Sequence, residues 1–258
     1  MLDLDWSVFA PIVADRRFVA AVAVAALSGV VRGFSGFGSA LIYIPLVSAI
    51  YEPRIAAATM LLIDFAGTTP FSIREIPRCD WREVLPVVLS AAAAIPVGAL
   101  ALLFVDPVVL RWVISTMVIV LLAVLVSGWR YRGKPTLPVM AMVGASSGLG
   151  SGAVQIAGPP VIIFWLSGRQ KAVTVRANLM VFFMAMNVVA CATYALQGLI
   201  TRDILLLAVC LGPPFFVAMW SGVRFFHAAS EGTFRWIAYA IVALSALVSL
   251  PLFDGLFR

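Results

Sequence analysis

Two short clusters of glycine and serine are the parts of this sequence whose residue types could hold a ligand. The first is Gly36-Phe37-Gly38-Ser39, and the second is Gly148-Leu149-Gly150-Ser151-Gly152. Glycine lets a backbone leave helical geometry, so each cluster is predicted to interrupt a helix. A helix that restarts after such a break presents unpaired N–H groups and a positive dipole end, which bind anions without any full charge. Two such clusters facing each other would form one central anion site.

The same clusters also fit a purely structural role, in which small residues let two helices pack closely. Gly29 and Gly33 have the small-xxx-small spacing that is typical of such contacts. A single glycine pair would favour packing. A glycine-serine cluster that occurs twice favours the anion site instead.

Three charged side chains lie in or beside long apolar runs, where ionisable residues are usually functional. Arg32 adjoins the first glycine cluster and either neutralises a bound anion or pairs with a lipid headgroup. Arg176 either contacts the substrate or extends its side chain to the membrane surface. Asp64 is a candidate proton-coupling site because it is the carboxylate in the middle of an apolar helix. It could equally pair with Arg32 or Arg176.

Uncharged polar residues at comparable depth complete the candidate site. Gln155 follows the second cluster and either binds substrate or caps broken backbone, because a buried amide is costly without a hydrogen bond. For Thr68, Thr69 and Asn187 we expect hydrogen bonds between helices. The predicted substrate-binding residues are Arg32, Gly36, Phe37, Gly38, Ser39, Gly148, Gly150, Ser151, Gly152, Gln155, Arg176 and Asn178.

The composition places these residues in a membrane. Of the 258 residues, 63% are apolar and only 12% are charged, and the mean hydropathy is +1.07. Soluble domains of this size are about a quarter charged and about half apolar. The chain is therefore predicted to be a polytopic all-α membrane protein. Its net charge of +6 fits basic cytoplasmic loops and not a nucleic-acid partner.

The residues of common enzyme sites are nearly absent. His227 is the single histidine, so a histidine-rich metal cluster is excluded and a Ser-His-Asp triad is disfavoured. Cys79, Cys191 and Cys210 lack metal-ligand spacing. There is also no phosphate-binding GxxxxGK[ST] loop. We therefore expect no enzymatic activity, no metal and no cofactor.

The apolar runs predict eight to ten membrane segments, because a span needs about 20 residues. Six runs have this length, at 54–73, 83–104, 108–128, 172–196, 203–224 and 233–252. Two longer regions, 18–50 and 137–168, are broken in the middle by the glycine clusters. Each broken region is predicted to form a hairpin or two short spans.

Short motifs recur in the same order in both halves of the chain. The cluster 36–39 recurs as 148–151, Gly98 recurs as Gly222, and 110–113 recurs as 234–237. We infer one integral membrane domain over 1–258, with repeat one at 18–128, a seam at 129–136 and repeat two at 137–252. An odd number of crossings per repeat would make the repeats inverted. The distribution of basic residues, ten against six, places both termini outside the cytoplasm.

Three segments together resemble the TauE/SafE sulfite exporter family over residues 18–252. They are 33–39 with the following Pro45, then 148–152 leading to Gly158-Pro159-Pro160, and then 175–179. The first cluster lacks a third glycine that many members carry. The resemblance implies a secondary transporter that exports small sulfur-containing anions, such as sulfite or organosulfonates, across the bacterial inner membrane. Both termini would then be periplasmic.

The expected partners are a small anionic substrate and membrane lipid, with a homodimer as an open alternative. Proton-coupled alternating access is our hypothesis for the mechanism. An anion channel, an uptake permease for thiosulfate, sulfate or carboxylates, and a membrane assembly subunit without transport activity remain as alternatives.

Overall fold

The chain is helical throughout the part that the structure describes. The computed structural model describes residues 9–35, 38–127, 135–166, 170–226 and 231–251, and all regular structure in them is helical, which confirms the all-α class. A short 3-10 helix, Ile73–Arg78, joins α4 to α5. The helices are α1 Ala10–Ala14, α2 Arg16–Ser35, α3 Ser39–Ile50, α4 Pro53–Ser72, α5 Trp81–Phe104, α6 Pro107–Ser127, α7 Leu137–Val154, α8 Gly158–Leu166, α9 Ala172–Leu196, α10 Arg202–Phe226 and α11 Glu231–Val248.

The apolar runs form the long helices that the sequence predicts. Each of the six full-length runs forms one long helix, and each of the two broken regions forms a pair of helices. Among the described residues, α3 and the Tyr239–Val248 part of α11 are apolar but shorter than a full span. The chain is therefore a multi-pass membrane protein, while a total of eight to ten segments stays a prediction. The five helices long and apolar enough to cross a membrane are Trp81–Phe104, Pro107–Val124, Leu137–Val154, Val173–Leu196 and Arg202–Gly222.

The order of helices in the first half of the chain recurs in the second half. Helices α2 to α6 and α7 to α11 each comprise a long helix, a short break, a shorter helix and three further helices. The break lies between Ser35 and Ser39 in the first half and between Val154 and Gly158 in the second. The helices that follow the breaks, α3 and α8, begin 119 residues apart, as do α4 and α9. The inverted orientation stays a prediction, and most of the seam lies outside the described residues.

The first long helix of each half packs against the fourth helix of the other half. Helix α2 lies along α10 and α7 lies along α5, and these are the most extensive helix contacts in the described chain. Glycine permits both approaches. A Cβ atom on Gly29 would lie 2.2 Å from the carbonyl oxygen of Phe215, and one on Gly148 would lie 2.2 Å from that of Ala91. Because an added methyl group cannot fit at such distances, backbone touches backbone.

The partner helices supply matching glycines. A Cβ atom on Gly98 of α5 would lie 2.3 Å from the carbonyl oxygen of Leu149, and one on Gly222 of α10 would lie 2.3 Å from that of Val30. The contact between α2 and α10 therefore has the same two close approaches as the contact between α7 and α5. The predicted correspondence between Gly98 and Gly222 agrees with these contacts.

The predicted correspondence between the two glycine clusters is wrong. The equivalent contacts pair Gly148 with Gly29, whereas the sequence pattern pairs it with Gly36. Small residues recur along both helices, so short glycine-serine motifs can be matched in more than one register. The ends of α2 and α7, the starts of α3 and α8 and the backbone contacts together select the register in which α2 and α7 differ by 119 residues.

The prediction that the second glycine cluster interrupts its helix is also wrong. Helix α7 continues unbroken through Gly148, Gly150 and Gly152, and the break follows at Gln155. The cluster lies against α5, where a Cβ atom on Gly152 would be 2.1 Å from the carbonyl oxygen of Ile95. Close packing, the alternative role, explains Gly148 and Gly152 because a side chain there would separate α5 from α7, while Gly150 lies against the carbonyl oxygen of Ile156 in the break.

Replacing Gly148 with alanine is expected to lower the stability of the folded protein. The new methyl group must push α5 away from α7, and overpacking of this kind costs about 1–3 kcal/mol. The measurement is the melting temperature of the purified protein in one detergent.

Gly212→Ala is the matched control on α10, because a Cβ atom there would meet only the Phe216 ring at an ordinary 3.6 Å. The control should melt at or above the wild-type temperature. Equal melting of the Gly148→Ala variant and the wild type would contradict the direct backbone contact.

Candidate functional site

The breaks of both halves open onto one cavity. Helices α2, α3 and α4 line it from the first half, and α7, α8 and α9 line it from the second. Its volume is about 70 Å³, whereas a single water requires about 10–15 Å³. The cavity can therefore hold a small polyatomic ion. The residues with polar side chains in its lining are Arg32, Ser39, Asp64, Ser151, Gln155 and Asn187.

An ion pair joins the first half's two intramembrane charges in this cavity. Arg32 Nη2 of α2 lies 3.0 Å from Asp64 Oδ1 of α4, and the two side chains are only 15% and 17% exposed. This is one of the two pairings that the sequence leaves open for Asp64. Because the charges cancel, the cavity is lined by a neutral pair, which is far less costly at membrane depth than either charge alone.

Polar side chains of α4 and α9 hold the carboxylate in place. Asn187 Nδ2 donates a long hydrogen bond of 3.4 Å to Asp64 Oδ2 and another of 3.3 Å to Thr68 Oγ1. Thr68 Oγ1 donates in turn to the carbonyl oxygen of Asp64 at 2.7 Å. The predicted interhelical bonds of Thr68 and Asn187 are thus confirmed. The prediction for Thr69 is wrong, since its buried hydroxyl has no hydrogen-bond partner among the described residues.

The first break leaves a helix start at the cavity. Gly38 has a left-handed conformation with φ of 91°, which favours glycine, and α3 begins at Ser39 without a side-chain cap. The first N–H groups of α3 therefore have no partner in the helix. Ser39 is 1% exposed, and its Oγ has no hydrogen-bond partner in the described part of the chain. Gly36 and Phe37, both predicted to bind substrate, lie outside the described residues.

Gln155 caps the end of α7 at the second break. This residue is left-handed, with φ of 56°, and its side-chain Nε2 donates to the carbonyl oxygen of Ser151 at 2.9 Å. The backbone N–H of Ile156 donates to the carbonyl oxygen of Gly150 at 3.1 Å. Gln155 therefore caps broken backbone, as one of its two predicted roles requires, and it also lines the cavity.

Arg176 and Asn178 do not line the cavity. Arg176 is exposed near the start of α9. Asn178 is buried, and its Oδ1 accepts a hydrogen bond of 2.8 Å from the backbone N–H of Asp80. Its Nδ2 donates to Gln170 Oε1 at 3.1 Å, while Gln170 Nε2 donates to Asp80 Oδ2 at 3.0 Å. Asn178 thus ties the chain segment before α9 to the start of α5.

The glycines of the second cluster likewise stand apart from the cavity. Gly148, Gly150 and Gly152 are not among its lining residues, whereas Ser151 of the same cluster is. Three of the predicted site residues in this cluster therefore lie in the wall of α7 that contacts α5 and the following break.

The apolar part of the cavity lining was not predicted from the sequence. Met60, Ile162, Phe183 and Met186 line the cavity, but each lies in an apolar helix whose neighbours are equally apolar. Composition and periodicity cannot separate a cavity residue from a lipid-facing one in such a helix. Asn187 was the signal available on α9, but its expected role was hydrogen bonding between helices and not lining a site.

Comparison with known proteins agrees with the resemblance seen in the sequence motifs. The family described as "Sulfite exporter TauE/SafE" matches residues 21–249. A protein of Cupriavidus necator with the name "Probable sulfite/organosulfonate exporter TauE" is 24% identical over 229 residues, which cover 84% of this chain and 88% of that protein. No solved structure matches the chain.

The family match extends over both halves of the helix bundle. It begins within α2 and ends just after α11. It includes every residue that lines the cavity, from Arg32 to Asn187. The chain belongs to the sulfite exporter TauE/SafE family.

Proposed function

We propose that this membrane protein is a secondary transporter that exports small sulfur-containing anions, such as sulfite or organosulfonates, across the bacterial inner membrane. The observation that carries the proposal is the partly buried Arg32 beside the uncapped start of α3, in a cavity lined by both broken elements. A guanidinium and free helix N–H groups both favour oxyanions. The printed name of the Cupriavidus necator relative supports the choice of sulfur-containing anions.

The Arg32–Asp64 pair supports proton coupling. An anion that enters the cavity adds a negative charge to a pair that is already neutral. An uncompensated charge in such a site costs several kcal/mol. Protonation of Asp64 removes this cost, because Arg32 is then free to pair with the anion. Each bound monoanion would therefore be accompanied by one proton, and export would be driven by the outward gradient of the anion against the inward proton gradient.

The position of the cavity between the two halves supports alternating access. Transporters with repeated halves commonly move one bundle against the other around a site at broken helices. We also propose that both termini are periplasmic, on the basis of the basic-residue distribution. A homodimer remains a prediction.

Other functions give different outcomes in flux and binding experiments. An anion channel would show flux that does not saturate and that far exceeds a transporter's rate. An uptake permease would raise the anion concentration inside cells, whereas an exporter would lower it. An assembly subunit would show no saturable anion binding. An exporter instead shows saturable anion flux in reconstituted proteoliposomes.

Replacing Arg32 with glutamine is expected to lower the rate of sulfite or methanesulfonate flux by about 10- to 100-fold, since hydrogen bonds to charged groups contribute about 1.5–3 kcal/mol. The measurement is anion efflux from proteoliposomes that contain equal amounts of folded protein. Arg176→Gln is the control, because that side chain is exposed and outside the cavity. An equal loss in both variants would argue against the cavity as the site.

Replacing Asp64 with asparagine is expected to abolish the dependence of anion flux on an imposed pH gradient. The amide retains the shape of the carboxylate but cannot carry the coupled proton. The measurement compares flux with and without the gradient in the same vesicles. Asp64→Glu, which retains a carboxylate, should remain sensitive to the gradient. A gradient-driven flux that persists in the asparagine variant would exclude Asp64 as the proton carrier.

A further inference from the structure

The cavity is built from corresponding positions in the two halves, but only one half supplies charge. In the register of 119 residues, Arg32 corresponds to Ser151 and Asp64 corresponds to Phe183, and all four residues line the cavity. The first half therefore contributes an ion pair where the second contributes a hydroxyl and a phenyl ring. The duplication has left the positions of the site equivalent and their chemistry different.

The starts of α3 and α8 also differ in the hydrogen-bond donors that they offer, and again the first half offers more. Ser39, the first residue of α3, corresponds to Gly158, the first residue of α8. Positions two and three of α8 are Pro159 and Pro160, which have no backbone N–H to donate. At the start of α3 the N–H of Leu41 donates to the carbonyl oxygen of Gly38. The N–H groups of Ser39 and Ala40 have no partner within the helix and lie beside the unpartnered, buried hydroxyl of Ser39. Hydrogen-bond donors for an anion are thus concentrated at the first half's break.

The second half supplies most of the apolar residues in the cavity lining. Phe183 and Met186 of α9 and Ile162 of α8 line the cavity, together with Pro159. A bare oxyanion would leave its oxygens facing these side chains, and unpaired polar groups in apolar surroundings are costly. An anion with an uncharged substituent would instead place that substituent against them.

We propose that the two halves divide the substrate between them. The start of α3, with Ser39 and Arg32, binds the charged oxygens, and the α8–α9 wall, with Ile162 and Phe183, binds a small uncharged group on the same molecule. The preferred ligand class is a monoanion that carries a compact apolar substituent. This inference rests on the proposed function and specifies the kind of substituent that its anion carries.

Alkanesulfonates of increasing length test the division, because they share one charged group and differ only in the apolar part. The probes are methanesulfonate and propane-1-sulfonate, and the readout is the dissociation constant for the full-length protein in lipid nanodiscs. Each buried CH₂ contributes about 0.8 kcal/mol, which is about fourfold in affinity. Propanesulfonate is therefore expected to bind more tightly than methanesulfonate to the wild-type protein.

Ser39→Ala is expected to weaken the binding of both probes by the same factor, about tenfold, because it removes a donor to their common charged group. Ser48→Ala is the matched control: Ser48 lies on the same helix, is equally buried and has an unpartnered Oγ, but it does not line the cavity. The control should bind both probes as the wild type does.

Ile162→Ala is expected to weaken propanesulfonate by a larger factor than methanesulfonate, because the propyl group has more apolar surface to contact the wall. Binding of both sulfonates with equal affinity to the wild type would overturn the division but leave the proposed function intact. A change in the affinity ratio in Ser39→Ala, or an equal loss of both probes in Ile162→Ala, would do the same. Failure of any sulfonate or sulfite to bind would overturn the proposed function as well.

Discussion

Direct contact between helix backbones is the constraint on which the rest of the structure depends. Glycines on α2, α5, α7 and α10 allow the first helix of each half to lie against the fourth helix of the other half. Dispersion and close packing, and not the hydrophobic effect, hold helices together in lipid. This arrangement brings both breaks to the same place, because the helices that precede them are anchored in the opposite half. The cavity exists where the two anchored helices end.

Charge compensation then decides which side chains can lie in that place. Arg32 at the end of α2 is compatible with membrane depth because Asp64 on α4 lies 3.0 Å away. Asn187 contributes from the second half by holding the carboxylate. The ion pair thus depends on three helices from both halves, so that any relative movement of the halves changes the surroundings of the pair. The strength of the Arg32–Asp64 ion pair therefore depends directly on the positions of the helices.

The sequence predicted the helices well and the site only in part. Long apolar runs determine where helices form in lipid, and the first break was visible because Gly38 adopts a conformation that favours glycine. Arg32, Asp64 and Gln155 could be recognised because polar residues are rare in such a chain. The second break could not be located, since glycines that contact a neighbouring helix and glycines that end a helix look alike in sequence. Apolar cavity residues such as Ile162 carry no local signal at all.

The exchange of helices between the halves has a consequence for biosynthesis. Helices α5 and α7 are close in the chain and can pack soon after synthesis, but the contact of Gly29 with Phe215 spans 186 residues. At the about 5–20 residues per second of translation, α2 is made roughly 10 to 40 s before α10. During that interval the nascent chain holds α2, with Arg32 at its end, in the bilayer without the partner against which its glycine face packs. The packing of α2 is therefore completed only after α10, in the second half of the chain, has been synthesised.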